Sequence, residues 1–526
     1  MNDSYRDVRV HIVKAGAGAG EGCSTDLFAI RPQSLTITAL DQDWQSAGTT
    51  RALANIGASG GNVHKASAAA TPLPFTLRAT PVPASATNYD GTPTTVAGFP
   101  DCTALGALCT SPGTLSFTAG SWATVGGVRE NATAAYSEAG AFNLQLEDTI
   151  YANVDVVDGT PAAARTVPAT ASAQIGRFVP DHFDVTTLVA PAFRTFNAAD
   201  AACSAGTAPR RTFTYIGQPF GYLTTPQATV LARNAGGATT TNYAGTLWKI
   251  GGAAPATAKD CTTDPNICQF TTSWSAGGNS SNVIESYTYA LIPVSTPNWD
   301  DAGATPVAAT VTAGTGVDAG TGIITYASSD TLAFLRNTTT AQAPFTASIT
   351  NTISVQDTSE ADGAIATTTA AAFGGITFDS GDAFRFGRLR LSNALGTELL
   401  GLPVRIETQY WNGTAFATNI DDHCTNLTPA NITLGNYQYN GGVAWTTGVS
   451  FTGPFSAGLG DLKLSKPSPA PTRKGSVDVT VDLAAESKIY LQGAWTGTPY
   501  TQNPTARATF GVYKGANEFI YMREMY

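Results

Sequence analysis

Residues 88–92 read N-Y-D-G-T, residues 242–246 read N-Y-A-G-T, and a third relative, Y-W-N-G-T, stands at 410–414. The shared element is an aromatic residue, a variable residue, glycine and threonine: Tyr89, Gly91 and Thr92; Tyr243, Gly245 and Thr246; Trp411, Gly413 and Thr414. Asp-Gly and Asn-Gly are favoured in two-residue hairpin turns because both central positions take positive φ. The element therefore predicts strand, tight turn, strand, with the aromatic side chain packed at the strand end. Its surroundings repeat too. A proline followed by an apolar strand lies upstream each time (L-P-F-T-L from 73, Q-P-F-G-Y from 218, L-P-V-R-I from 402), and a Cys-Thr pair lies downstream (D-C-T from 101, D-C-T from 260, H-C-T from 423).

Each copy opens with an aromatic and basic strand: D-L-F-A-I-R-P from 26, I-G-R-F-V-P-D-H-F from 175 and D-A-F-R-F-G-R-L-R-L from 382. In the last, the apolar positions switch from Phe384 and Phe386 to Leu389 and Leu391 across Gly387, which predicts a bulge there. Elsewhere apolar residues alternate with polar ones, as in Phe142, Leu144 and Leu146, in Ala347, Ile349, Ile353 and Val355, and in Val404, Ile406 and Tyr410. These signals divide the chain into repeats at 26–176, 177–383 and 384–526. Residues 1–25 are expected to be a trailing strand of a preceding domain plus a linker, since V-R-V-H-I-V at 8–13 is like S-V-D-V-T-V-D-L at 476–483. The expected fold is all-β: tandem immunoglobulin-like β-sandwich domains in an elongated array.

Composition agrees with that class. Only 13 % of the 526 residues are charged, with 53 Gly and 29 Pro, so the chain is short of surface-helix formers and rich in residues that suit pleated strands. A formal net charge of −10 argues against nucleic acid or an anionic membrane surface as partner. No apolar run reaches the roughly 18 residues of a membrane span, and the first ten residues lack a secretory h-region. Of seven cysteines, Cys102 with Cys109 and Cys261 with Cys268 share one spacing and are expected to form local disulfides, which points to an oxidising compartment. Cys23, Cys203 and Cys424 are left without an assigned partner.

Catalytic constellations do not emerge. His11, His64, His182 and His423 have no metal-ligand spacing, and His182 in P-D-H-F reads as a hydrogen-bonded strand-edge residue. G-A-S-G-G from 57 is not a nucleophile elbow, and G-A-G-A-G-E-G from 16 has no helix behind it to make a phosphate cradle. The sequons at Asn131 and Asn412 carry no weight, the second being part of its turn. The acidic clusters Asp155 and Asp158; Asp357, Glu360 and Asp362; and Asp379 and Asp382 offer the oxygen ligands that Ca²⁺ prefers. No other cofactor is implied. The aromatic C-terminal strands, from F-G-V-Y to F-I-Y-M-R-E-M-Y, are expected to close the last sandwich rather than add to a partner's sheet.

The closing stretch 506–526, with F-A-I-R-P, G-R-F-V-P-D-H-F, F-T-Y-I-G-Q-P-F and F-R-F-G-R-L-R-L-S-N-A-L-G, resembles the C-terminal region of MshQ-type proteins, from about Val8 to Tyr526. These take their name from the biogenesis locus of the mannose-sensitive haemagglutinin, a type IV pilus. The resemblance implies a bacterial, exported protein at the cell surface or on the pilus, with pilus or envelope proteins as partners and with glycans reached through an upstream domain. It brings no catalytic residues. The expected role is a non-enzymatic structural or adhesive module that spaces or presents a binding domain. An envelope assembly factor for the pilus is the alternative, and a surface glycosidase, which needs two facing carboxylates, ranks below both.

Overall fold

The computed structural model describes residues 3–511 apart from 43–49, 71–72, 196–210, 251–255, 265–266, 277–278, 293–298, 301–309, 326–330, 335, 361 and 470–472; in some strands, chiefly 256–292, only the backbone is described. The chain is nearly all β, 48 % strand and 6 % helical, in a sandwich-like multi-domain array. The pleat imposes a period of two on buried side chains, and the sequence supplies it. Phe75–Val82 alternates buried and half-buried residues along its whole length. Phe345–Asp357 turns Ile349, Ile353 and Val355 inward, and Leu402–Trp411 does the same with Leu402, Val404 and Ile406.

Among the described residues three large apolar cores follow one another along the chain, beside a small cluster of Leu105, Cys109 and Ala141. The first gathers Leu35, Phe75, Leu77, Tyr136, Phe142, Ile175 and Phe178 among others. One of its sheets sets Ser34–Gln42 beside Phe75–Val82 and that beside Val128–Tyr136; the other pairs Gly140–Leu144 with Ala173–Val179. The second core is built around Phe183, Phe193, Phe220, Phe334, Phe345 and Phe384, on one branched sheet of sixteen strands. The third lies between two four-membered strand runs. One is Gly387–Leu391, Leu402–Trp411, Leu459–Leu464, Val449–Ser456; the other is Ala394–Gly396, Thr505–Phe510, Lys474–Val481, Ile432–Asn440.

The chain passes between cores as a nearly unbroken extended run. Ala173–Val179 serves the first core and, after Pro180, His182–Val189 serves the second. The parity switch at Gly387 has the same origin and is not a bulge. Phe384 and Phe386 point into the second core and Leu389 and Leu391 into the third, while Ala383–Arg385 and Gly387–Leu391 pair with different partners, Phe213–Tyr215 and Leu402–Trp411. Gly387 sits at the crossing because a Cβ there would lie 2.4 Å from the Tyr215 ring.

Of the three predicted hairpin turns, one forms. Trp411 pairs with Phe416 across a loop in which Asn412 N–H donates to the Ala415 carbonyl at 3.0 Å and Gly413 has φ +105°. The stretch Tyr89-Asp90-Gly91-Thr92 joins no strand pair, and Tyr243-Ala244-Gly245-Thr246 runs into a 3₁₀ turn at Gly245–Leu247. Local preference for a tight hairpin, Asp-Gly in the first stretch and Ala-Gly in the second, is overridden there because both tyrosines are buried and tied to distant carboxylates.

Candidate functional site: tyrosine anchors and buried joints

Among the described residues, each core holds one tyrosine hydroxyl against one aspartate. Tyr89 donates to Asp148 Oδ2 at 2.9 Å, Tyr243 to Asp357 Oδ2 at 2.8 Å, and Tyr215 to Asp422 Oδ2 at 2.7 Å. The other carboxylate oxygen caps a turn. Asp148 Oδ1 accepts the N–H groups of Ile150 and Tyr151, Asp357 Oδ1 that of Ser359, and Asp422 Oδ1 those of Cys424 and Thr425. Burial, followed by the adjacent aspartate, pushes all three phenols above their ordinary value, so each stays protonated and donates. Gly91 is required where it stands, since a Cβ would meet Asp148 Oδ2 at 2.1 Å. The anchors of the first two units are equivalent in sequence as well, N-Y-x-G-T with E-D-T at 147–149 and with Q-D-T at 356–358. The third anchor is different, because Tyr215 comes from the second unit's stretch of chain.

The first joint forms where Glu360 and Asp362 press on the first unit. Glu360 pairs with Arg177, which is fully buried and also donates to the carbonyls of Gly57 and Gly60 at 2.7 and 3.1 Å. Asp362 accepts from Arg51 at 2.6 Å and from the Val63 N–H at 2.8 Å. Arg51 reaches on to Asp41 at 2.6 Å, and His64 Nδ1 lies 2.6 Å from the same carboxylate. Burial raises Glu360 above the ordinary glutamate range against the opposing pull of Arg177. Cys102 and Cys109 are joined as a disulfide, and the loop they close adds a pad to this joint. Asn242 Oδ1 accepts from Thr110 N–H at 3.1 Å and Oγ1 at 2.8 Å, and its Nδ2 donates to the Ser111 carbonyl at 2.9 Å.

The second joint is made differently. Phe213 and Tyr215, from the second unit, are fully buried in the third core. Arg336 donates to the carbonyls of Tyr500, Gly387 and Gln492 at 2.8, 2.9 and 2.8 Å with its guanidinium 4.1 Å over the Phe386 ring, and Arg388 stands 3.7 Å over Phe416 and 4.9 Å over Trp495.

The predicted calcium ligands fall into these roles. Asp357, Glu360 and Asp362 bind the groups just named. Asp379 Oδ1 accepts from Thr195 N–H and Oγ1 at 2.9 and 2.8 Å, Asp155 from Ala29 N–H at 3.1 Å, and Asp158 and Asp382 are exposed. Among the described residues no group of three or more His, Cys, Asp or Glu side chains is placed to hold a metal ion. His182 Nδ1 lies 2.8 Å from Asp181 Oδ2 at the start of its strand. Cys23 is free and exposed, and Cys424 is disulfide-bonded. Cys203, the Cys261 and Cys268 side chains and the C-terminal strands beyond Gly511 lie outside the described residues. Asp148 and Asp422 were missed as functional residues, and so was Glu138, whose Oε1 accepts the Asn242 N–H at 3.0 Å, because a lone carboxylate carries no local signal of a partner 59, 207 or 104 residues away.

Fold and joints together define an all-β protein of tandem sandwich units with buried contacts between successive units. Residues 138–380 match the model of DUF6701, third domain, and residues 385–525 that of DUF6701, fourth domain. The two matches take in most of the chain, which belongs to the DUF6701 family. No curated protein matches it. Among the described residues no helix is long and apolar enough to cross a membrane.

Proposed function

We propose that this chain is a non-enzymatic structural module, a stiff spacer that carries or presents a binding domain on a bacterial surface or pilus. The observation that supports it is the construction of both joints from buried, geometrically specific contacts, Arg177 with Glu360 at the first and Tyr215 with Asp422 at the second. Flexible linkers between domains leave relative motion as the default; buried paired charges and an inserted strand remove it. The Cys102–Cys109 disulfide is compatible with export. The resemblance to MshQ-type proteins is what directs the reading to a pilus.

The reading is tested on cells. Shearing should release the protein with the pilus fraction, and a deletion of the whole chain in frame should reduce surface reach and adhesion while leaving pilus assembly intact. Loss of pili in that deletion, with the unaltered protein retained in the envelope after shearing, would replace the spacer by an assembly factor. Adhesion by this chain alone would move the binding site into it.

A further inference from the structure

The stretches T-N-Y-D-G-T at 87–92 and T-N-Y-A-G-T at 241–246 are each closed by a carboxylate from an earlier segment. Glu138 Oε1 accepts the N–H groups of Asn242 and Ala139 at 3.0 and 2.9 Å, and its Oε2 accepts the Thr241 hydroxyl at 2.9 Å. Asp3 repeats the pattern: its Oδ1 accepts the N–H groups of Asn88 and Ser4 at 2.7 and 2.8 Å, and its Oδ2 accepts the Thr87 hydroxyl at 3.3 Å. The correspondence continues along the chain. Behind Glu138 come Gly140–Leu144 and Ala173–Val179, antiparallel, with Gly140 opposite Phe178. Behind Asp3 come Tyr5–Val8 and Phe28–Ile30, antiparallel, with Tyr5 opposite Ile30. The match to the third domain of the family begins at residue 138, the closing carboxylate itself.

What differs is the cover. The later strand pair closes the first core, with Phe142, Leu144 and Ile175 fully buried. On the earlier pair, and on the hairpin of His11–Lys14 with Gly20–Cys23 between its strands, Ile12 is 67 % and Val13 59 % exposed, and Tyr5, Val10 and Phe28 are open as well. Asn242 is buried and reads the backbone of Thr110 and Ser111, whereas Asn88 is exposed. An isolated two-stranded hairpin is marginal in water, and an apolar face of this kind marks an interaction surface.

We propose that residues 3–30 are the closing strands of a further β-sandwich, carried by the same polypeptide ahead of Asp3 and seated on Tyr5, Val10, Ile12 and Phe28 as residues 34–136 seat on 138–179. The partner is an all-β unit short of its last strand pair, with an apolar inner face and a loop whose backbone Asn88 binds as Asn242 binds Thr110 and Ser111. The inference concerns which surface is covered and is independent of the spacer reading.

Cys23 is the reporter, because it pairs with His11 at the open end of the hairpin and borders the same surface hollow as Val10 and Ile12. In this chain a maleimide should label it as an unhindered thiol, and the amides of 11–14 and 20–23 should exchange rapidly. In the polypeptide isolated intact from its source, labelling should slow by at least about tenfold because it then requires local opening, and those amides should be protected. Ile12→Asp in that polypeptide should restore labelling and leave the melting of the second and third units unchanged. Equal labelling and exchange in the two proteins would overturn the proposal. So would a concentration-dependent dimer of this chain in which Cys23 becomes protected, since the occupant would then be a second copy.

Discussion

At the first joint Arg51, Arg177, Glu360 and Asp362 are buried as matched pairs, whereas at the second Arg336 and Arg388 rest on ring faces, carbonyls and, for Arg388, the Gln409 amide, with no carboxylate in ion-pair contact with either among the described residues. The first joint joins two cores through buried ion pairs and a small apolar seam, with Val63 and Ala139 of the first unit lying in the second core; the second gives part of one unit to the core of the next and adds one half-exposed pair, Arg385 with Asp421 at 2.7 Å. A buried charge pair is strongly destabilising to break from one side yet adds little over a well-packed apolar replacement. An inserted strand contributes burial that nothing else in the third unit replaces. The first joint should therefore specify geometry and the second should supply stability.

The contrast is broken most severely by Phe213→Ala with Tyr215→Ala. Each truncation of a fully buried aromatic side chain costs about 3–5 kcal/mol, and the pair should leave the third core without cooperative urea unfolding, read by protease resistance of residues 387–511. Retention of a normal third-unit transition would show that the strand is an accessory. Next, Arg177→Met should lower the stability of the first two units by about 3–5 kcal/mol by stranding Glu360, and adding Glu360→Leu should recover most of it. A double variant as unstable as the single would mean that the joint depends on the charges themselves. Smaller losses, about 1–3 kcal/mol each, follow from Tyr89→Phe, Tyr243→Phe and Tyr215→Phe, which leave a buried carboxylate oxygen short of a donor. Only Tyr215→Phe should weaken contact between units, as judged by hydrogen exchange at residues 419–425.

The least effect is electrostatic. Burial raises Glu138 above the ordinary glutamate value. The folded protein therefore binds its proton at a higher pH than the unfolded chain, and Glu138 contributes stability that grows as pH falls through that window and is lost as pH rises through it. Melting curves of Glu138→Gln should show a shallower slope than the unaltered protein, the remainder coming from Glu360, which burial raises in the same direction. The second joint, without buried glutamates on Arg336 or Arg388, should show none of it.

The class of fold was legible from alternation, because a strand half-buried in a sandwich must show a period of two whichever sheet it joins. The Cys102–Cys109 loop was legible from spacing. The repeated N-Y-x-G-T was legible as a repeat and misread as a hairpin, since the hydrogen bond that decides its conformation goes from Tyr89 to Asp148 and from Tyr243 to Asp357, far outside the window in which turn preferences act. Gly387 was misread for a related reason: a change of parity looks the same whether a strand bulges or leaves one core for another. F-T-Y at 213–215 reads as a strand and nothing in it announces that the neighbouring unit takes it. Glu360 and Asp362 were noticed for their carboxylates, but a sequence does not show that Arg177 and Arg51 occupy them.

The central claim is that buried joints hold the units in one relative orientation. Single-molecule energy transfer between dyes placed by non-cysteine labelling at the exposed residues Ala123 and Thr452 tests it most directly. One narrow efficiency peak, unchanged by salt and broadened by Arg177→Met or Tyr215→Ala, is the predicted result. A broad or multiple-peaked distribution in the unaltered protein would contradict it.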